Sequence, residues 1–325
     1  MRYITLPNTN LIASRICFGT GEIGSSLDRE LSFRLFDCYI DQGGTFFDTA
    51  HNYGDWVANI ERNISEKTLG AWMKERKNRG KIIVATKGGH ANFDKPQVGR
   101  LSRNELVQDI DESLLALQVD VIDLYYVHKD YPEFSVDEIV ETLNYAVKAG
   151  KIRYFAAANM KVHRLQAAQD YARSKGLIGF SADQMFWNAG VLEDFPFHDP
   201  ICSWMDEGLY AYHLKTGMAA IPYQSVAFGI FHFIHNHALD RMNPHFRGFY
   251  NLPGIEKRYQ RITEVMGETG LSITQIVLGY LISRPFVTIP IIGVRNNFEH
   301  LIDNCNAGDV NLSTELVNYI ETGNR

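Results

Sequence analysis

Short apolar runs alternate with amphipathic stretches along most of the chain. Runs at 15–18, 45–47, 81–86, 121–127, 152–157, 180–186, 218–223 and 287–292 read as strands. Stretches near 27–42, 61–77, 103–117, 136–149, 161–175, 200–216 and 297–305 carry helical patterns. Most of the strand runs read as continuous apolar stretches rather than alternating ones, as expected for parallel strands covered on both faces. A long segment, 231–254, follows the seventh strand and is expected to be a functional loop. Eight strand-then-helix units predict a closed (β/α)8 barrel of the TIM type. Residues 3–13 predict an N-terminal β-hairpin across the barrel bottom. No linker or shift in composition interrupts the pattern, so residues 1–325 are expected to form a single domain.

Bulk properties fit an ordinary enzyme-sized fold. The chain has 325 residues, a length comfortable for one α/β barrel. The formal net charge of -6 argues against a nucleic-acid partner. Cys17, Cys38, Cys202 and Cys305 lie far apart, without metal-ligand or redox spacing, which suits a reducing cytoplasm. The first residues carry no apolar signal-like stretch, and no apolar run is long enough for membrane insertion.

In such a barrel the chemistry sits just past the C-terminal strand ends. Asp48, Lys87 and His128 stand where the second, third and fourth apolar runs stop. Tyr53 follows Asp48 by five residues, close enough to turn back over the barrel mouth. Taken singly, Asp48 reads equally as a helix N-cap, Lys87 as a loop lysine, His128 as a strand-end histidine and Tyr53 as packing. Together they have a chemical logic. A carbonyl that accepts hydride develops negative charge on oxygen and needs a proton. A tyrosine can donate it, provided that an ammonium favours the phenolate and pulls down a pKa of about 10. A carboxylate keeps the ammonium charged, and a histidine beside the substrate oxygen orients it.

These residues also carry a resemblance. Phe47-Asp48-Thr49-Ala50-x-x-Tyr53-Gly54, Thr86-Lys87 and Tyr125-Tyr126-Val127-His128 are similar to the signatures of the aldo-keto reductase family. Gly19-Thr20, Gln184, Ile292-Gly293-x-Arg295 and Asn304 extend the likeness over nearly the whole chain. The resemblance implies an NADP(H)-linked carbonyl reductase or alcohol dehydrogenase acting on a small aldehyde, ketone or sugar, with Tyr53, Asp48, Lys87 and His128 as its tetrad. It also implies that Tyr223 stacks on the nicotinamide while Asn159 and Gln184 bond its carboxamide. Gly19, Thr20 and Gly21, with Asp48, Gln224, Ser225, Gly293, Val294, Arg295, His300 and Asn304, complete the expected cofactor contacts. Trp56 and Trp187 follow strand ends and are candidates to line the substrate pocket. The sequence departs from the family where Ala158 replaces the usual serine, and where Val294 and His300 stand at positions that often carry a basic residue. NAD therefore stays open beside NADP.

Other readings compete. Gly19-Thr20-Gly21-Glu22-Ile23-Gly24 matches the dinucleotide fingerprint of a Rossmann fold, but no separate substrate domain follows it. His232, His235 and His237 cluster without an acidic ligand, so no metal is expected, and the segment reads as a polar-aromatic loop over the mouth. A cofactor-binding regulatory subunit of the same fold is the alternative function. A metal-dependent barrel hydrolase is the third, and lacks its ligands.

Overall fold

A computed structural model describes residues 1–193 and 202–325. Strands β1 (Tyr3–Thr5) and β2 (Ile12–Ser14) form an antiparallel N-terminal hairpin. The main sheet runs β3 (Cys17–Gly19), β4 (Phe46–Asp48), β5 (Ile83–Gly88), β6 (Ile122–Val127), β7 (Ile152–Ala158), β8 (Ala182–Gln184), β9 (Ala219–Ala220) and β10 (Ile291–Gly293). All its pairings are parallel, and β10 lies beside β3. At the other edge Ala220 bonds the 287–291 segment on both sides: its N–H donates to Val287 O (2.9 Å) and its carbonyl accepts from Ile289 N (3.0 Å). Ile291 N likewise donates to Pro222 O (2.9 Å), so the segment entering β10 joins β9 and the sheet closes on itself. This is the expected barrel. It excludes the Rossmann reading, because an open doubly wound sheet has no such closure.

The helices are α1 (Arg29–Asp41), α2 (Ile64–Arg76), α3 (Arg103–Leu117), α4 (Val136–Lys148), α5 (Val162–Lys175), α6 (Glu207–Thr216), α7 (Ile230–His235), α8 (Pro244–Arg247), α9 (Leu252–Thr269), α10 (Ile273–Ile282), α11 (Phe298–Asn306) and α12 (Thr314–Thr322). Strand and helix ends are set by local chemistry. Ser102 and Glu105 form a capping box that starts α3, and Ser272 and Gln275 form one that starts α10. Side-chain alternation along the strands divides the core in two. Phe18, Phe47, Val84, Tyr125 and Phe155 pack outward under the helices. Cys17, Phe46, Ala85, Leu124, Tyr126, Ala156 and Ala182 fill the barrel interior. Leu6, Leu11 and Ala13 of the hairpin region join that interior cluster and plug the barrel bottom.

Three expectations need correction. The segment 231–254 is not an irregular loop: it holds α7, a 3-10 turn at Leu239–Arg241 and α8, and leads straight into α9. Helices α9, α10 and α12 were not anticipated. The helix expected at 200–216 begins at Glu207, with Asp206 as its N-cap; residues 200–201 lie outside the described residues. No single helix among the described residues is long and apolar enough to cross a membrane.

Candidate active site

The parity that fills the barrel also builds the site. Asp48 sits two residues after Phe46, Lys87 two after Ala85, and the position two after Tyr126 is His128. All three therefore point inward at the C-terminal rim. The climbing register sets Asp48 beside Ala85 and Lys87 beside Tyr126, which brings Lys87 over the top of the interior.

Lys87 is fully buried and spends its protons on three acceptors. Nζ donates to Asp48 Oδ2 (2.5 Å), to the Thr49 carbonyl (2.8 Å) and to Tyr53 Oη (3.0 Å). Asp48 Oδ1 accepts from Gln184 Nε2 (3.0 Å). Because Tyr53 accepts from the ammonium, its own O–H is left to donate elsewhere. Burial on its own would depress the lysine, but Asp48 and Tyr53 hold it above its ordinary value, so the ammonium stays charged. Burial raises the Asp48 carboxyl against the pull of Lys87. The Tyr53 hydroxyl is also raised, first by burial and then by Asp48, and Lys87 offsets this only in part. The expected lowering of the tyrosine pKa is thus corrected: desolvation outweighs the ammonium, and the resting group is a protonated phenol. His128 is pushed well below the ordinary imidazole range by burial, His90 and Lys87, so its ring is neutral. Its Nδ1 is buried with no hydrogen-bond partner among the described residues.

Around the pair runs a closed circuit of rings. Tyr53 meets Trp56 (5.9 Å between centroids), Trp56 meets Phe93 (6.3 Å), Phe93 meets His90 (5.5 Å), His90 meets His128 (5.0 Å), and His128 returns to Tyr53 (5.9 Å). Four of the five contacts are edge-to-face, the stable aromatic arrangement. Trp56 and Phe93 are 47% and 49% exposed, so the circuit presents an apolar face at the mouth. Neither His90 nor Phe93 figured in the sequence reading, although both follow the end of β5, where a barrel places functional groups. Trp187 does not join this circuit. Its indole stacks on Phe286 (6.1 Å) and meets Tyr210 (6.2 Å), committed to packing.

The remaining sequence candidates line the same rim. Asn159 adopts a left-handed backbone (φ 57), donates to the His128 carbonyl (3.1 Å) and accepts from Tyr223 Oη (2.8 Å). Tyr223 lies edge-on to Phe186 (5.9 Å). Gln224 is also left-handed (φ 53), and its carbonyl accepts from Asn188 Nδ2 (3.2 Å). Ser225 Oγ donates to Ile291 O (2.6 Å), tying the end of β9 to β10. Thr20 is buried, and its N–H and hydroxyl both donate to the Asp48 carbonyl (2.9 and 3.1 Å). A Cβ on Gly19 would stand 2.8 Å from Ile291 Cγ2, so β10 itself demands that glycine; a Cβ on Gly21 would meet open space. Gly293 at the end of β10 and Arg295 just past it are exposed, and Val294 between them is buried. Asn297 caps α11 by accepting from His300 N (3.0 Å), and Asn304 keeps a buried Oδ1 without a partner among the described residues.

The histidines of α7 are held away from one another. His232 bonds Thr274 of α10 (3.0 Å) and stacks on His300 (6.0 Å), whereas His235 bonds Tyr259 of α9 (2.9 Å). They pack α7 onto its neighbours. Among the described residues no group of three or more His, Cys, Asp or Glu side chains could hold a metal ion.

Comparison with known proteins gives the family and the fold. The model of the Aldo/keto reductase family matches residues 15–325. Norsolorinic acid reductase B of Aspergillus parasiticus is 29% identical over 97% of this chain and 82% of its own length. Its counterpart from Dothistroma septosporum is 30% identical, over 97% and 79%. The aryl-alcohol dehydrogenase [NADP(+)] of Phanerodontia chrysosporium is 28% identical, over 97% and 83%. A thermostable aldo-keto reductase solved with the inhibitor epalrestat superposes with a TM-score of 0.72, covering 99% of both chains at 24% identity, which speaks for the fold.

Proposed function

This chain belongs to the aldo/keto reductase family, and from that premise we propose that it is an NADP(H)-dependent carbonyl reductase with Tyr53 as general acid. The observation that carries the reading is the buried Asp48–Lys87–Tyr53 chain, which leaves one phenolic proton unspent. The bound dinucleotide supplies the hydride. As charge grows on the carbonyl oxygen, Tyr53 donates its proton there, and Lys87 at 3.0 Å stabilises the phenolate left behind. Asp48 keeps Lys87 charged although both side chains are buried. His128, neutral, orients the carbonyl by a hydrogen bond and does not compete as the acid. In the reverse direction the same phenolate accepts the alcohol proton.

The rim suits a dinucleotide phosphate. Arg295 is an exposed cation beside the start of α11, whose amide ends favour an anion, and a guanidinium matches a phosphate with two charge-assisted bonds. Asn304 keeps a buried Oδ1 with no partner among the described residues, an acceptor suited to a donor group of the dinucleotide rather than to its phosphate. One strong cation at this place favours NADP(H) over NAD(H) by a modest margin.

The aromatic circuit narrows the substrate. Trp56 and Phe93 offer an apolar face at the mouth, fit for stacking on a planar ring and poor in partners for sugar hydroxyls. The reading is an aryl aldehyde or ketone. A panel of aromatic, aliphatic and aldose substrates followed by NADPH oxidation tests it. Aryl aldehydes should show the highest kcat/KM, and Trp56→Ala should lower that value about 2- to 10-fold for them, given about 0.5–1.5 kcal/mol per aromatic contact. A preference for aldoses would refute the aryl assignment.

A further inference from the structure

Tyr53 does not stand on a strand. It stands on a turn past β4, and its phenol reaches Lys87 only if that turn keeps its place. On the inner side the turn is held by Lys87 itself, through the Thr49 carbonyl (2.8 Å). The backbone continues the ladder with β5: Thr49 N donates to Ala85 O and His51 N to Lys87 O, both at 2.9 Å. Tyr53 N then donates to Ala50 O (3.1 Å) and closes the turn. On the outer side the hold is a histidine–carboxylate pair. His51 lies two residues before Tyr53, and its Nε2 meets Glu112 Oε2 of α3 at 2.7 Å, with the His51 side chain 4% exposed. Glu112 is fixed in turn by Gln108, which donates to Oε1 (2.8 Å). The His51 carbonyl accepts from Asn63 Nδ2 (3.0 Å), so ring and backbone are both anchored.

We propose that His51 and Glu112 form a positioning clasp that sets the Tyr53 hydroxyl against Lys87 from across the barrel wall. The clasp rests on the reading of Tyr53 as the proton donor. It lies between the turn and α3 and acts through the turn alone. Its geometric stake is large, because displacing a reacting group by about 1 Å can cost about 10²-fold in rate. Other titratable groups also face His51 or its partner: Glu66 from α2 and Asp55 from the same loop, the neutral His128 from the end of β6, and Arg62, which acts on Asp55 and Glu112. None of them is placed to bond the ring as Glu112 is.

Three variants test the clasp: His51→Leu, which removes the ring donor; His51→Gln, which puts an amide nitrogen near Nε2; and Glu112→Ala on the half-exposed face of α3. Each is compared with wild type for kcat, KM, thermal midpoint and the pH dependence of alcohol oxidation, whose rising limb reports Tyr53 ionisation. His51→Leu and Glu112→Ala should lose at least about tenfold in kcat with KM changed less than about threefold. Their limb should move up by about one pH unit as Tyr53 leaves the ammonium. His51→Gln should recover to within about threefold. Wild-type kcat in both His51→Leu and Glu112→Ala would overturn the clasp. So would a fall in kcat with an unmoved limb, or a His51→Gln no better than His51→Leu. If His51→Leu fails to fold, Glu112→Ala carries the test. Absence of turnover in wild type would instead refute the reading of the site. Crystal structures of the variants then decide the clasp: a Tyr53 Oη–Lys87 Nζ distance beyond hydrogen-bond range supports it, and an unchanged distance overturns it.

Discussion

Replacing Lys87 by Met isolates the ion pair at the centre of the site. The partners' side chains are 0% and 2% exposed, and their atoms are 2.5 Å apart. Removing one partner of a buried pair costs about 3–5 kcal/mol, because the other charge is left uncompensated. Asp48 would keep only the Gln184 amide at 3.0 Å. Its folded pKa is already raised by burial, and losing Lys87 raises it further. The sign follows: a carboxyl that binds its proton more tightly when folded loses stability as pH rises from the unfolded value, about 3.9, through the folded one. Lys87→Met should therefore be less stable at pH 8 than at pH 5, with a thermal midpoint depressed on the order of 10 °C at neutral pH. The Lys87 pKa is raised, so the wild-type lysine's contribution stands whole through neutrality and is lost only above about 10.4. Adding Asp48→Asn removes the stranded charge. The double variant should melt above Lys87→Met, and the cycle should show about 2 kcal/mol or more of coupling. Thermal or urea unfolding of the four proteins at both pH values measures it. Additive costs, or a Lys87→Met midpoint that does not move with pH, would refute the argument.

Two more outcomes follow from the same geometry. His128→Ala should slow small carbonyls most, since they have few other anchors, while the pH-rate profile keeps its shape because the ring is already neutral; loss of an ionisation limb would make the histidine the acid. Arg295→Ala should weaken NADPH binding at least about tenfold, from about 1.5–3 kcal/mol per charged hydrogen bond, and leave NADH nearly unchanged; equal weakening of both in a fluorescence titration would exclude Arg295 as the phosphate reader.

Much of this was legible in the sequence because the barrel repeats a simple pattern. Strands β4 to β7 are mostly apolar, with Asp123 and Arg153 confined to the starts of β6 and β7, and their ends carry Asp48, Lys87, His128 and Asn159 on one rim. What escaped has physical reasons. All of α10 except Gln275 is buried, so it shows almost no polar face and no clear helical period. Helix α9 did carry signals, with Asn251 before Pro253 at its start and left-handed Gly270 at its end, and those punctuation marks outweigh a weak pattern. Strand β9 is shorter than the apolar run at 218–223 that predicts it, because only Ala219 and Ala220 hold the ladder. The raised tyrosine was missed because a sequence displays the neighbouring lysine but not the depth of burial. Trp187 sat at a strand end like a pocket residue, yet Phe286, distant in sequence, claims its ring. His51 looked like filler between Asp48 and Tyr53, because its partner Glu112 lies 61 residues away.

The central claim is that Tyr53 gives its proton to the carbonyl oxygen. Tyr53→Phe deletes one oxygen and leaves the ring beside Trp56 and His128. Steady-state reduction of an aryl aldehyde, with NADPH affinity measured separately by fluorescence, tests it directly. The account predicts a fall in kcat of at least about 10²-fold, the low end for loss of general acid help, with NADPH affinity retained. Turnover by Tyr53→Phe near the wild-type rate would contradict it.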